Sequence, residues 1–565
     1  MLLLLFYWSY LGFTFVNLGF CFQKITRLKP TESIFTIIFG MLTTTILASV
    51  WAIFGRINFE FQLFLLALQF GIVVGFKKEL TSIYLNFWHQ LKTLPQKLQI
   101  LLGLTLLLTL LYGVSDASFI DNETYYVQTI KWLNEYGLVK GLANLHLFFG
   151  QTSGWHILQS AFSFSYLSDR LNQLNGFCLL LGNLYAIFRL NDYFKNSSAQ
   201  NLWIGLLPTA NVVLFAFCQV PSPDLAVMIF SLIAFDFFIQ QYKTEDIVSF
   251  NVLFLLSIFI VYIKVTALPI LLLPLLFLII NFKKIISKIA LSLLMGLIML
   301  FLFIIKNSIL SGYPLFPSTL SKDYYKVDYA IPPALYNFSF DCTHCYSFFI
   351  SGKDFGTSNA WQIFVKWLLY SGTSNVFNVM IIVIMLLMPY FTKRYFNQKS
   401  YWILYSLMVL QFALIWYGSP HYRFMLPFLL LFGLIAFSIF VKSMPSIYRL
   451  CFGSLVLAFC FLWFPIPLGN HQQKLNFNKQ QFSMSQVIYP HKNSNLKTEY
   501  EEHQMGNLKY FSPDTGVYIW ANGNGKLPCV NFKQIDYFDR KLHYIPQLRT
   551  SNIPDGFYSR KTTQP

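Results

Sequence analysis

The sequence has few charged side chains, and this scarcity excludes most classes of water-soluble protein. Only 12% of its 565 residues are Asp, Glu, Lys or Arg, whereas a soluble domain carries about a quarter. Hydrophobic residues make up 55% and aromatic residues 19%. Apolar runs of about 17 to 25 residues, each long enough to cross about 30 Å of hydrocarbon, recur from residue 1 to residue 467. We therefore expect an all-α polytopic membrane protein, because lipid offers no partner for open sheet edges.

Negative charge is especially scarce, since 24 acidic residues stand against 41 Lys and Arg and leave a net charge of +17. Such an excess can indicate nucleic-acid binding, but no basic stripe with interleaved aromatic residues lies on a soluble module. The basic residues occupy short loops between alternate apolar runs, as the positive-inside rule predicts. We therefore expect the charge to record membrane orientation and no nucleic acid to be bound. The basic loops are 24–29, 77–97, 283–288 and 393–399.

The first apolar run lacks the basic residues that precede the core of a cleaved signal peptide, and its Lys24 and Arg27 follow it instead. We interpret it as a retained helix whose N-terminus lies outside the cytoplasm. Reversing direction at every later run gives about fourteen membrane helices and places both termini in the periplasm of a bacterial inner membrane. The predicted helices lie near 1–20, 32–55, 59–76, 99–114, 173–189, 202–218, 223–240, 249–263, 267–281, 288–308, 376–391, 400–417, 422–441 and 450–466.

This threading predicts a membrane domain over residues 1–467 with two large periplasmic loops, 115–171 and 307–374. Residues 468–565 are the one candidate soluble unit. Their Pro, Asn and Gly residues interrupt any long periodicity, so we expect a small periplasmic cap that packs on the membrane domain.

The first loop contains two short segments with helical patterning. Residues 124–136 alternate apolar and polar positions at helical spacing, so we expect an amphipathic helix along the membrane surface. Residues 155–166 are apolar but too short to span, which predicts a second interfacial or re-entrant helix.

Three of the eight cysteines, Cys342, Cys345 and Cys529, lie in predicted periplasmic segments, where disulfides persist. The sequence leaves open a bond between Cys342 and Cys345, or between one of them and Cys529. A zinc site that uses His344 lacks a second ligand pair of matching spacing. We therefore predict neither a metal nor a cofactor.

Ionisable side chains near the outer ends of the predicted helices need an explanation. Charges at membrane depth cost several kcal/mol unless they face protein or a water-filled cavity, so each is a candidate functional residue. The threading places them at one depth, where carboxylates and cations together would suit a lipid substrate that carries phosphate. They are Asp116, Asp121, Asp224, Lys264, Lys306, His421 and Arg423.

Each candidate also has a structural interpretation. Asp121 and Asp224 precede or begin helices and could serve as N-caps. Lys264 could extend to the membrane interface, and His421 and Arg423 could pair with a carboxylate only to orient helices. For His146, in the segment GLANLH, a buried hydrogen-bonding role stands beside a substrate-binding role.

The long outer loop with an Asp just after a membrane helix resembles the GT-C superfamily of glycosyltransferases, which use polyprenyl-phosphate-linked sugars. The segments IDNETYYVQTIKWLNEY (120–136) and GLANLH (141–146) are similar to a bacterial GT-C-like family whose acceptors are largely unassigned. IKVTALP (263–269), IKNSILSGYPLFP (305–317) and HYRFMLP (421–427) are similar to outer-edge motifs of such enzymes.

The resemblance implies that Asp121 is the catalytic base and Asp224 the second acidic position. It implies that Lys264 and Arg423 face the donor phosphate. Glu123 stands where the family pattern has a small residue, so Glu123 is a second candidate for the base, and Asp116 is a third.

We therefore expect an inverting glycosyltransferase that moves a sugar from a polyprenyl-phosphate-linked donor to an unidentified periplasmic acceptor. Membrane lipids and other membrane or envelope proteins are further expected partners. Two other classes stay open. A transporter or flippase of a lipid-linked or anionic substrate would stagger its charges through the bilayer. A non-catalytic subunit of a larger assembly would use the loops and the tail as docking surfaces.

Overall fold

The structure is a computed structural model that describes residues 1–28, 32–116, 119–242, 244, 246–318, 320, 327–348, 350–369, 372–464, 483–514 and 516–562. Most of these residues are helical. In chain order the main helices are α1 (Leu2–Ile25), α2 (Ser33–Phe54), α3 (Phe59–Gly75), α4 (Lys77–Lys92), α5 (Gln96–Val114), α6 (Val127–Glu135), α7 (Gly154–Ser160), α8 (Leu174–Asn196), α9 (Ala199–Gln219), α10 (Pro223–Gln241), α11 (Ile247–Ile263), α12 (Val265–Ile280), α13 (Ala290–Ser311), α14 (Pro333–Phe348), α15 (Gly352–Thr357), α16 (Ala360–Leu368), α17 (Thr373–Tyr395), α18 (Lys399–Gly418), α19 (Tyr422–Phe440), α20 (Met444–Trp463) and α21 (Phe532–Leu542).

Every apolar run predicted from the sequence coincides with one of these helices, but not every helix is long and apolar enough to span. Among the described residues, ten helices meet that test: α1, α2, α5, α9, α10, α13 and α17 to α20. The chain is thus a multi-pass membrane protein with ten candidate spans, or eleven if α3 and α4 form one bent span. The predicted count of about fourteen is not confirmed.

The difference of four has local causes. Helix α3 continues into α4 through a bend of 93°, and α11 and α12 have at most 17 residues. The last two turns of α8 carry Arg189, Asp192 and Lys195, which lower its hydropathy. The segment 77–92, predicted as part of a basic loop, forms α4 because its apolar residues recur at helical spacing.

Helix α10 lies at the centre of the bundle. Within the most apolar 18 residues of this helix, 94% are buried. The helix packs against α8, α9, α11, α18 and α19. Its ends nevertheless carry carboxylates, Asp224 at the first turn and Asp236 near the last. A helix that is apolar all round is expected in such a position, so each acid requires a partner.

The two helices of the first loop are covered by protein. A π-helical turn, Asn122–Tyr126, leads into α6, and most residues of α6 are buried. Every residue of α7 is buried as well. The C-terminal tail and the bundle enclose both segments, and their predicted interfacial or re-entrant position in the membrane stays a prediction.

The tail contains two small sheets that the all-α prediction missed. Strands β1 (Tyr500–Met505) and β2 (Leu508–Pro513) pair antiparallel, as do β3 (Tyr544–Leu548) and β4 (Phe557–Lys561). Leu508 and Phe557 share a hydrophobic core with Trp132 of the first loop, so the tail packs on the membrane domain. The predicted boundary at residues 467 and 468 lies outside the described residues.

Candidate functional site

The first turn of α10 presents a buried carboxylate. Pro223 stands at the first helical position, and the Ser222 hydroxyl accepts a hydrogen bond from the Asp224 backbone N–H at 3.3 Å. Because Ser222 supplies the cap, the Asp224 side chain is left to bind other groups. It accepts a hydrogen bond from the Lys264 ammonium, which stands at the C-terminal end of α11. The side chain of Asp224 is only 3% exposed, so this ion pair is largely desolvated.

Arg423, at the start of α19, joins this pair to the first loop. Its Nη1 lies 2.7 Å from Asp121 Oδ2 and 3.5 Å from Asp224 Oδ2. Asp121, Asp224, Lys264 and Arg423 thus form a single group, which we call the ion cluster. These four residues are separated by up to 302 positions in the chain and were predicted to share one site.

His421 positions the arginine. Its Nδ1 accepts hydrogen bonds from the backbone N–H of Arg423 at 3.3 Å and from the Arg423 Nε at 3.4 Å. The imidazole therefore caps the short helical turn that begins α19 and holds the guanidinium toward Asp121. It contacts the ion cluster through Arg423, as the predicted HYRFMLP motif allows.

Three members of the ion cluster reach an opening. The side chains of Asp121, Arg423 and Lys264 are 21%, 18% and 22% exposed. Aromatic rings flank the two cations, with Lys264 Nζ 4.4 Å from the Phe424 ring centre and the Arg423 guanidinium 5.5 Å from that of Phe119. The cluster is therefore partly accessible, and aromatic rings flank its two cations.

A small cleft begins at three members of the ion cluster, Asp224, Lys264 and Arg423. One end is charged, and the rest is mostly apolar and lies between α10, α12, α18 and α19. An amphipathic ligand with an anionic head and an apolar chain has the same distribution of polarity. The lining residues are Asp224, Val227, Ser231, Phe235, Lys264, Thr266, Ala267, Ile270, Gln411, Arg423, Phe424, Pro427 and Phe428.

Asp121 does not serve as the predicted helix cap. Its side chain makes no capping hydrogen bond to the turn that follows. It instead pairs with Arg423 and accepts a hydrogen bond from the Tyr126 hydroxyl at 3.4 Å. The Tyr126 hydroxyl also lies 3.5 Å from the Ser222 hydroxyl, which connects the first loop to the start of α10.

The two other candidates for the base lie outside the ion cluster. Glu123 is buried against the tail, where the Ser494 hydroxyl and the Asn495 backbone N–H donate to its carboxylate. Burial raises the pKa of Glu123 above its ordinary value of 4.5. Asp116 accepts a hydrogen bond from Gln486 at 3.3 Å. Of the three carboxylates, only Asp121 belongs to the ion cluster.

Lys306 and His146 are both buried but contact other groups. The Lys306 ammonium donates to the Thr152 carbonyl. His146 Nδ1 accepts from the Phe148 backbone N–H at 3.2 Å, and its Nε2 lies 3.4 Å from the Trp520 carbonyl. Burial lowers the pKa of His146 to about 3, so it is neutral at pH 7. These contacts are those of a buried hydrogen-bonding residue, which is the structural role considered for His146.

His156 was missed by sequence reasoning. It is fully buried, its ring centre lies 4.9 Å from that of Tyr126, and burial, followed by the charges of Lys306 and Lys264, lowers its pKa to about 3. A neutral imidazole therefore lies beside the ion cluster. A His within an apolar segment too short to span was the available signal.

A second polar cluster, also missed, lies near the other end of α10. Asp236 Oδ2 accepts hydrogen bonds from Tyr185 at 2.6 Å, from Arg189 at 3.2 Å and from Gln240 at 2.7 Å. Arg189 also pairs with Glu32 at 2.7 Å. We call these five residues the closed cluster. An acidic residue inside an apolar run was its sequence signal.

The cysteine predictions are not realised in this structure. Cys342 and Cys345 lie three positions apart on α14 and are free thiols, and Cys529 is a free thiol buried in the tail. Burial raises the pKa of Cys529 to about 12, so it is an inert packing residue. Within the described part of the chain, no three His, Cys, Asp or Glu side chains converge as metal ligands.

Comparison with known proteins gives a family but no activity. The chain belongs to the family described as a domain of unknown function, DUF8201, which matches residues 1–430. No curated protein and no solved structure matches the chain. The matched region contains all four members of the ion cluster and ends before the tail.

Proposed function

We propose that the chain is a GT-C-like inverting glycosyltransferase that uses a polyprenyl-phosphate-linked sugar. The observation that carries the proposal is the ion cluster at the charged end of an otherwise mostly apolar cleft. The head of such a donor needs cations, and its chain needs apolar surface within the membrane. An acceptor hydroxyl needs a carboxylate close to the same cations. Asp121, Arg423 and Lys264 meet these requirements together.

In the proposed reaction, Asp121 accepts the proton of the acceptor hydroxyl while the oxygen of that hydroxyl attacks the anomeric carbon of the sugar. The bond between that carbon and the phosphate oxygen breaks, and polyprenyl phosphate leaves with the electron pair. General-base catalysis of this kind contributes about 10² to 10⁴ in rate. A single displacement inverts the anomeric configuration.

Arg423 and Lys264 would stabilise the charge that develops on the leaving phosphate. A guanidinium offers paired N–H donors that match phosphate oxygens. In the structure the Arg423 guanidinium is shared between Asp121 and Asp224. Transfer of its donors to a phosphate would free Asp121, while Lys264 and Asp224 keep the cleft electrically balanced.

The test measures release of polyprenyl phosphate from a radiolabelled polyprenyl-phosphate hexose by membranes that contain the chain. We expect Asp121→Asn to lower transfer by about 10² to 10⁴ while insertion and thermal stability stay unchanged. Thermal stabilisation by polyprenyl phosphate supplies a binding measurement that does not depend on the acceptor. Transfer at the wild-type rate by Asp121→Asn would remove Asp121 from the mechanism. Absence of both transfer and binding in the wild type would overturn the proposal.

The closed cluster supports a second candidate, a transporter or flippase of an anionic lipid-linked molecule. It places charge near the far end of the same helix, and a transport path requires polar groups at more than one depth. If this candidate is right, Asp236→Asn abolishes movement of a fluorescent polyprenyl-phosphate probe across proteoliposomes. Transfer of the sugar by the same variant, with no movement of the probe in the wild type, would exclude transport.

The proposed setting is the periplasmic face of a bacterial inner membrane, with both termini on that side. The basic residues at the ends opposite the ion cluster support this orientation through the positive-inside rule. Protease protection of epitopes placed at Met1 and in the tail measures it directly. Cleavage of both epitopes only from the periplasmic side is the expected result.

A further inference from the structure

Helix α4 leaves the bundle almost at a right angle. Helix α3 ends at Gly75, and α4 begins at Lys77 after a bend of 93°. The turn is fixed to α1, because Phe76 packs edge-on against Phe20 with ring centres 5.5 Å apart and Glu79 pairs with Lys24 at 3.2 Å. If α3 runs across the membrane, α4 lies in the plane of its surface.

One face of α4 belongs to the protein core. Leu80 is buried, and three more apolar side chains at helical spacing, Tyr84, Phe87 and Leu91, pack partly buried against the bundle. The Tyr84 hydroxyl donates to Asn17 of α1 at 2.9 Å. These contacts fix the rotation of the helix about its axis, and hence the direction of every other side chain.

The neighbouring flank of α4 mixes apolar and basic residues. At 3.6 residues per turn, six side chains project within about a third of the circumference beside the buried face. Among them, Leu85 and Trp88 are 61% and 56% exposed. Lys92 Nζ lies 5.1 Å from the Trp88 ring centre. The six flank residues are Lys77, Lys78, Thr81, Leu85, Trp88 and Lys92.

The rest of the circumference is mostly polar and carries no lysine; Ser82, Asn86, His89 and Gln90 are exposed there, and its one acid, Glu79, pairs with Lys24. A helix with one protein-facing side, one side of aromatic and basic residues and one polar side is typical of the membrane interface. Exposed Leu and Trp side chains would be costly in water. Interleaved lysines in the same flank match the negative charge of phospholipid headgroups.

We propose that α4 docks on the membrane surface at the basic end of the bundle and binds anionic phospholipids. Leu85 and Trp88 insert among the acyl chains, and Lys77, Lys78 and Lys92 contact headgroup phosphates. The continuity of α4 with α3 supplies the position, and the lysines supply the charge complementarity. This inference does not depend on the chemistry of the ion cluster.

The test uses the full chain in vesicles that contain brominated phosphatidylcholine or brominated phosphatidylglycerol, both of which quench tryptophan fluorescence on contact. The chain has 12 tryptophans, so the signal of Trp88 is obtained as the difference between the wild type and Trp88→Phe. We expect quenching by both lipids, stronger with phosphatidylglycerol. Added salt should reduce this preference, since screening weakens exposed charge pairs.

The variant K77Q/K78Q/K92Q should lower the preference for phosphatidylglycerol by about fivefold for each lysine removed. The matched control K393Q/R394Q/K399Q removes equal charge from exposed positions in a different basic loop, 393–399, and should leave the Trp88 preference unchanged. Equal quenching by the two lipids would overturn the assignment of anionic lipid. Absence of quenching by either would show that this flank faces water or another protein.

Discussion

The two ends of α10 carry charged clusters of different design. At the first turn, the ion cluster is partly exposed and borders a cleft. Near the last turn, Asp236 is fully buried and Arg189 is 10% exposed at its side chain. The ion cluster borders a cleft, whereas Asp236 and Arg189 at the centre of the closed cluster are enclosed by the helices that they connect, and only Glu32 at its edge is exposed.

The hydrogen bonds of the two clusters differ as well. In the closed cluster, three donors converge on one oxygen of Asp236. In the ion cluster, one Nη1 of Arg423 serves two carboxylates at unequal distances, 2.7 and 3.5 Å. The shared donor, Arg423 Nη1, can move to an arriving anion and leave one of its carboxylates. The Asp236 carboxylate would lose three hydrogen bonds if it moved. The proposed function therefore uses the ion cluster to bind ligand, and we expect the closed cluster to attach the helices to one another.

After Asp121→Asn, the largest expected effect is the loss of sugar transfer when Arg423 is changed to Lys. Lysine keeps the charge but cannot hold a phosphate with paired donors. We expect transfer to fall by about 10² to 10³, the loss typical of one donor to a developing anion. Thermal stability should change little, because Asp224 keeps Lys264 as its partner. A variant that transfers normally would place the phosphate away from Arg423.

Asp236→Ala should show the opposite pattern, with stability lost and transfer per folded molecule retained. Removing one partner of a buried ion pair typically costs about 3 to 5 kcal/mol. We expect the lower figure, since Arg189 retains Glu32. Asp192→Ala is the matched control, because Asp192 is 42% exposed and lies 3.7 Å from the same arginine. Unfolding temperatures in detergent measure both, and equal values for the two variants would contradict the proposed attachment.

Charge spacing placed seven ionisable residues at one depth, and the GT-C resemblance selected from them the four residues that form the ion cluster. Asp121, Asp224, Lys264 and Arg423 each stand at a helix end, and the alternation of basic loops placed those ends on one side. Residues at the same depth in a bundle are not necessarily neighbours, however. Lys306 shares the predicted depth yet contacts the Thr152 carbonyl, because lateral helix order depends on packing that a single sequence does not contain.

The tail shows a second limit of sequence reasoning. An amphipathic pattern distinguishes a buried face from a polar one, but it does not tell whether lipid, water or a distant segment covers the polar face. Gln128 of α6 donates to the carbonyls of Gly523 and Gly525 at 3.0 Å. The segment predicted to lie at the membrane surface is therefore hydrogen-bonded to the tail about 395 residues away.

Glu123 lies two residues from Asp121, yet its carboxylate is buried like that of Asp236 in the closed cluster. It therefore tests whether a buried acid contributes to stability and an accessible one to sugar transfer. Burial raises its pKa, so the folded protein binds a proton more readily than the unfolded chain. Its contribution to stability is thus full below pH 4.5 and is lost as pH rises through the elevated value. Each unit of pKa difference corresponds to about 1.4 kcal/mol.

We expect Glu123→Gln to remove this pH dependence, since glutamine stays neutral while keeping an oxygen acceptor for Asn495. Protease resistance of the tail, measured from pH 4.5 upward, should fall in the wild type and stay level in the variant. Sugar transfer by Glu123→Gln should equal that of the wild type at a pH where both proteins are folded. A loss of transfer comparable to that of Asp121→Asn would instead make Glu123 the base.

The smallest expected effect belongs to Asp116→Asn. Asp116 accepts a hydrogen bond from Gln486, and its charge raises the pKa of buried His491 against the larger lowering by burial. Asparagine keeps an oxygen acceptor for Gln486, so stability should change by no more than about 0.5 kcal/mol. Transfer should stay within about twofold, because general-base catalysis requires contact with the reacting hydroxyl. A hundredfold loss in this variant would move the reaction away from the ion cluster and toward the junction between α5 and the tail.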